Sequence, residues 1–466
     1  MTRLTYARDH GRNSVSLHDF ERCPHPVETG SWVIATAAFL LIAIRQTYVI
    51  PGLPLALSPA RFLLFAGAAL FIVATLVGRR SGYRLGILGL VLAIYLVSVL
   101  MAYGIGMTSE SVPIRTTDYY VVVEFLLILS VVFYFNVVRS YSGLSRIVKA
   151  LIAGAVVSAM FAILAHMTGA DLTATLRPPG LVEKEAILNR DLVRGDVVRP
   201  QGSAGHPLEL AALLTILFPL GVGLTLSQRA EGKRWWPWAA ATLAILIGVV
   251  VSVSRAALIG LLAALIVMAL FWPIRRTLGM LGGVVGLAAS MFVLNSSLFE
   301  AYSSTLVLGT GDPSAQYRLG AAKYILSSFT VFGSFGRGGG TDNYVFDDQY
   351  LYRLSETGVF GLSAYVLLVG LSFVLALRAL LNARKRTNPE LPAPSAQLFL
   401  GLVASLTAYA VMNIVLDVGG FVQIWTTMWL LLATSAVAFR LSLRPSRARR
   451  PEDLRRSENP AGQAVG

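Results

Sequence analysis

Residues 238–272, WAAATLAILIGVVVSVSRAALIGLLAALIVMALFW, hold two apolar runs joined by a tight turn that carries one cation, Arg255. The runs, 238–253 and 256–272, are long enough to cross roughly 30 Å of hydrocarbon as helices. A soluble core does not need uninterrupted runs placed back to back. Further stretches of the same kind lie near 32–49, 62–77, 85–103, 119–138, 150–166, 207–226, 278–294, 359–377, 396–416 and 421–439. The 466-residue chain is 55% apolar and 14% charged, with a mean hydropathy of +0.66. The expected fold is therefore an all-α polytopic membrane protein of about twelve transmembrane helices, with its membrane domain over 31–440. No small-residue cleavage site follows the first run, so that run is expected to be retained as a helix.

The net charge of +14 raises the question of nucleic acid, but its placement answers it. The basic residues sit in short clusters between apolar runs, with no continuous basic face. With the N-terminus in the cytoplasm, the clusters Arg79, Arg80, Arg84; Arg139, Arg146, Lys149; Arg229, Lys233, Arg234; and Arg378, Arg384, Lys385, Arg386 all fall on the cytoplasmic side. The positive-inside rule favours that orientation, which also puts both termini on the cytoplasmic side. The expected cytoplasmic segments are 1–30 and a disordered tail, 441–466, whose arginines favour anionic lipid headgroups. Membrane lipids, and not nucleic acid, are the expected partners. Cys23 is the sole cysteine, which excludes an intramolecular disulfide and a cysteine-based metal cluster.

Two expected outer loops, 167–206 and 295–358, are much longer than ordinary connections, and loops of that length are usually functional or disordered. The second begins with RLGAAKYILSSF (318–329), read as a short helix lying at the interface. It continues through GSFGRGGGTDN (333–343), which contains Arg337 and whose glycines permit close backbone approach to a ligand. It closes on FDDQYLYRLSETGVFGL (346–362), which leads straight into a hydrophobic helix.

Arg199, Arg255 and Arg318 all map to the expected outer face near the membrane boundary. A guanidinium fork matches phosphate and stays charged, so converging arginines would suit a pyrophosphate at headgroup level. The plainer reading is snorkelling, with each guanidinium reaching for water or lipid phosphate. His206, before Pro207, could take a proton from a hydroxyl or could simply sit at a helix entry. Asp347 and Asp348 could supply a base, bind a divalent cation, or favour the N-terminus of the helix that follows. Glu356, Gly358 and Gly361 fit close packing at that entry as well as they fit catalysis. Among the costly residues of the spans, Arg45 and Asp417 lie near outer ends and Asn413 is polar. Glu124 is plainly inside, either functional or paired with a neighbouring helix.

RPQGSAGHPLELA (199–211), VSRAALIG (253–260) and DDQYLYRLSETGVFGL (347–362) together resemble the three recurring segments of the O-antigen ligase/polymerase superfamily. The resemblance covers about 195–380 in motifs and the whole chain in architecture. It implies a GT-C-like membrane glycosyltransferase that uses neither nucleotide sugar nor an obligatory metal or other cofactor. The implied donor is an undecaprenyl-pyrophosphate-linked glycan, and the acceptor another glycan or lipid-linked unit, with a chain-length regulator as an implied partner of polymerases. Carried over by position, Arg199, Arg255 and Arg318 would hold the pyrophosphate, with Arg337 and Tyr350 beside them in substrate binding. The ligase pattern His-Asn-x-Tyr-Leu is here Asp347-Asp348-Gln349-Tyr350-Leu351, and the second long loop contains no histidine. The departure leaves Asp347 or His206 as the base and favours a polymerase over a lipid A ligase.

A secondary transporter or lipid-linked glycan flippase would share the span count. Against it, the midpoint connection 227–237 is short, the halves show no repeat, and the long polar loops face outward.

Overall fold

Each of these apolar stretches lies mostly in a helix, because hydrocarbon offers the backbone no partner and a helix satisfies its own N–H and C=O groups. The computed structural model describes residues 26–78, 85–108, 114–175, 177–184, 193–194, 197–294, 300, 313–335 and 347–443. The first helices are α1 (Pro26–Ala43), α2 (Pro59–Leu76), α3 (Ile87–Met107), α4 (Ile114–Val137) and α5 (Tyr141–Thr168), followed by the single turn α6 (Leu172–Thr175). Then come α7 (Pro207–Ala230), α8 (Trp236–Val251), α9 (Arg255–Phe271), α10 (Ile274–Leu294) and α11 (Pro313–Ser328). The last three are α12 (Gln349–Arg384), α13 (Ser395–Val415) and α14 (Val422–Ser442). Eight of these, α2 to α5, α7 and α12 to α14, are long and apolar enough to cross a membrane. The fold is that of an all-α polytopic membrane protein.

Local chemistry sets several helix starts. Ser58, Ser140 and Ser254 each accept a backbone N–H of the turn that follows, from Arg61, Gly143 and Ala257 respectively. Proline follows the cap at Pro59 and Pro207, where its missing N–H costs nothing.

Helices α7, α13 and α14 form the interior. The spanning window of α14 is 89% buried against 39% for α3, although α14 is the least apolar of the eight. The two facts belong together. A helix shielded by protein can carry Gln423, Thr426, Thr427, Thr434 and Ser435, whereas one facing lipid must be apolar. Along the contact of α7 with α13, a Cβ on Gly223 would come 2.6 Å from the Gln397 carbonyl, and one on Gly401 would come 2.6 Å from that of Pro219. Small residues there let the backbones touch.

Several boundaries differ from the sequence expectation, among them the start of α5, at Tyr141 and not near 150. The first helix stops at Ala43, not near 49, because Gln46 Nε2 donates to the carbonyls of Leu40, Leu41 and Ile44. Beyond it the two-residue strand β1 (Tyr48–Val49) pairs antiparallel with β2 (Val182–Glu183), tying this turn to the first long loop. A second ribbon, β3 (Val193–Arg194) with β4 (Val197–Val198), lies further along that loop. The tenth expected helix begins at Gln349, not near 359, so most of DDQYLYRLSETG is helical. The short helix expected over 318–329 is present as α11, with Ala321 and Ile325 packed on Leu354 and with Leu319 and Leu326 exposed.

Candidate functional site

The segment RPQGSAGHPLE is held by side chains reached from three directions. Arg45, at the end of α1, donates through Nη2 to Asp171 (2.8 Å), Thr173 (2.5 Å) and Gln201 (3.3 Å). Burial pushes the Asp171 carboxyl up, but the Thr173 hydroxyl and Arg45 outweigh it and hold the group below the usual carboxylate range. The Thr173 hydroxyl also donates to the Gly202 carbonyl (2.9 Å), and Ser203 donates to the carbonyl of Ile42. His206 then caps α7, its Nδ1 accepting the Leu208 N–H at 3.1 Å while the ring lies 5.8 Å from that of Phe421. That bond makes the neutral imidazole the Nε2–H tautomer, which leaves Nε2 a donor. Glu209 accepts from the N–H of Gly205 and of Gln423, both at 2.9 Å, closing the arrangement like a capping box onto α14.

Arg199 reaches the turn between α8 and α9, the turn that leads into Arg255. Arg199 is buried and its Nε donates to the Ser252 carbonyl at 3.3 Å, three residues before Arg255. Within that turn Val253 has φ +49°, a left-handed conformation that a β-branched residue adopts at a cost of order 1–3 kcal/mol. Arg255 is the first residue of α9, where its charge opposes the positive end of the helix dipole. An anion placed there would be attracted by the guanidinium and by the positive end of the helix dipole alike.

At the start of α12, Asp348 Oδ1 accepts the N–H groups of Tyr350 (2.8 Å) and Leu351 (3.0 Å), so this carboxylate serves as the cap. Burial raises its pKa, opposed by those two bonds. The Tyr350 hydroxyl donates to the Ala410 carbonyl of α13 at 3.1 Å. Gln349, fully buried, accepts the Gly419 N–H through Oε1 at 2.5 Å and draws the α13–α14 connection onto the helix start. That connection carries Asp417, whose pKa is pushed up to about 6. Burial is the main cause, opposed by the Gly420 N–H and by Arg353, and the negative charge of Asp347 adds to the rise. Asp347 and Asp417, from two loops, therefore lie near enough for the charge of one to act on the other.

Beneath them lies a buried polar layer. Arg353 Nη2 meets Glu124 Oε1 of α4 at 3.2 Å, and the guanidinium sits 4.7 Å from the ring of Trp425 and 5.6 Å from that of Tyr365. Tyr365 donates to Asn413 Oδ1 (2.7 Å) and shares a hydrogen bond with Tyr409 (2.8 Å). Arg61 bonds Thr426 and Tyr119, both at 3.4 Å.

These contacts run along one end of the helices: Arg199 to the Ser252 turn, His206 to Phe421, and Gln349 to Gly419 beside Asp417 and Asp347. Arg199, Arg255, His206, Asp347, Asp348 and Tyr350 therefore share one end of the bundle. The backbone of Arg318 lies in α11, and Arg337 lies outside the described residues. Sequence reasoning missed Arg353 and Arg61, which stand next to, not within, the apolar runs, and it left Asp417 as one residue near a helix end. No family model and no curated protein matches the chain.

Proposed function

We propose that the chain is a membrane glycosyltransferase that polymerises or ligates glycan from a polyprenyl-pyrophosphate-linked donor, with polymerisation favoured. In this reading it crosses a bacterial cytoplasmic membrane about twelve times with both termini inside, and the arginine-bearing end faces outward. The observation that supports the proposal is the bond from Arg199 to the Ser252 carbonyl, which brings Arg199 to the turn that leads into Arg255. The carboxylates Asp347 and Asp417 at the same end supply the second half of the chemistry.

The residues divide the work as follows. Arg199 and Arg255 hold the donor pyrophosphate, and the His206 Nε2–H is a further donor to it. The acceptor hydroxyl attacks the anomeric carbon, its proton passes to a carboxylate of the Asp347/Asp417 pair, and the polyprenyl pyrophosphate leaves from the opposite face. Direct displacement inverts the anomeric centre. Charge grows on the leaving group in the transition state, where fixed donors have their largest effect. Asp417 suits the base role better than an ordinary aspartate, because a raised pKa brings it nearer to working pH.

The test uses the purified chain with a polyprenyl-pyrophosphate oligosaccharide extracted from its host, read out as glycan length and released lipid pyrophosphate. Arg255→Ala is expected to lower turnover by about 10²–10³-fold, with Arg255→Lys in between because it keeps charge and loses the fork. Donor left intact by a folded wild-type chain that moves a solute across liposomes would replace this reading with transport.

A further inference from the structure

At the opposite end of the bundle a groove opens between α1 and α8, floored by α5, on which both of them pack. Its cavity measures about 560 Å³. Arg146 and Lys149, one turn apart on α5, point to the same side and line it. Each is braced by a tryptophan. The Arg146 guanidinium lies 4.3 Å from the Trp32 ring centroid, and Lys149 Nζ lies 5.7 Å from that of Trp238. Arg146 also donates to the Ser31 hydroxyl at 2.5 Å, so it is turned across the groove towards α1. Deeper along the same helices the lining becomes Phe39, Ala150 and Ala153.

Among the described residues, neither Arg146 nor Lys149 lies in a salt bridge with a carboxylate. Cations that merely snorkel extend to water and leave no fixed space beside them. Here two half-buried cations are held by rings and by a hydroxyl at the mouth of a cavity whose deeper wall is apolar. The order from mouth to floor, cationic with tryptophan and then alanine and phenylalanine, matches the order of a phospholipid from headgroup to acyl chain.

We propose that this groove binds one anionic phospholipid of the leaflet at that end, its phosphate between Arg146 and Lys149 and an acyl chain along Ala150 and Ala153. The site lies away from Arg199 and Arg255 and does not depend on the glycosyltransferase reading.

Native mass spectrometry of the delipidated full chain, titrated with phosphatidylglycerol or phosphatidylcholine, tests it. One phosphatidylglycerol is expected to bind at least about tenfold more tightly than phosphatidylcholine. Arg146→Gln with Lys149→Gln should abolish that preference. Ala153→Trp, which keeps both charges and fills the floor, should expel either lipid. The control is Arg275→Gln with Arg276→Gln. It removes an equal charge where Arg276 also sits 5.7 Å from a tryptophan ring, Trp272, but outside this groove, and it should leave the preference intact. Equal binding of the two lipids, an equal loss in the control, or full retention in Ala153→Trp would each overturn the proposal. Size-exclusion profiles of all variants separate loss of site from loss of fold.

Discussion

Asp417 is the residue on which the proposed chemistry turns, and its charge gives a direct test. Its pKa of about 6 lies well above the ordinary 3.8 of an aspartate. A general base works deprotonated, so kcat/KM should rise as pH passes upward through 6 and level off above it. Asp417→Asn should remove that limb and lower the rate by about 10²–10⁴-fold. If the variant keeps both rate and limb, Asp347 takes the proton unaided. The sequence displayed Asp417 as a polar residue at a helix end, but gave no sign of its neighbour. Asp347 stands 70 positions earlier, and the two are drawn close by Gln349, whose amide holds the Gly419 N–H. Asp348 illustrates the opposite case. Its place just before a helix suggested a favourable charge at an N-terminus, and capping is the contact it makes.

Helix α12 is broken at Gly358, where φ is +67° and ψ −171°, a region open almost solely to glycine. The break lets the chain between α11 and α12 dock against it, with the Val359 and Phe360 N–H groups donating to the carbonyls of Thr330 and Val331. A Cβ at Gly358 would lie 2.6 Å from Gly333 N and from the Val331 carbonyl. Gly358→Ala therefore combines a forbidden conformation with a backbone clash, and should destabilise by at least about 2 kcal/mol. Gly104→Ala on α3, where no atom lies within 4 Å, should be neutral or stabilising by up to about 1 kcal/mol. Thermal unfolding of the two variants in detergent gives the comparison, and equal shifts would rule out this account of the break. The helices themselves were legible as apolar runs because lipid imposes one solution on such runs. The break was not, since the partner of Gly358 is loop backbone, which carries no hydrophobic pattern.

Across the whole molecule, the ion pair of Glu124 with Arg353 ties α4 to α12 through residues 229 positions apart. The sequence offered Glu124 as an intramembrane charge, functional or structurally paired, and could not name its partner, because Arg353 sits in a polar motif ahead of the apolar run. The same arginine is among the groups that lower the Asp417 pKa, so the buried layer and the loop chemistry are electrically linked. Removing one partner leaves a charge buried without its counter-ion, which costs about 3–5 kcal/mol, whereas replacing both with apolar residues of similar volume is often neutral or stabilising. Arg353→Met alone should therefore lower the unfolding temperature strongly, and Glu124→Met with Arg353→Met should restore most of it. The double variant still lacks the positive charge that holds Asp417 down, so its acid limb should move to higher pH than in the wild type. Restored stability with an unmoved limb would assign Arg353 to packing alone. A limb that moves upward in a stable double variant would place the arginine in the control of the base, linked to it by electrostatics across the top of the bundle.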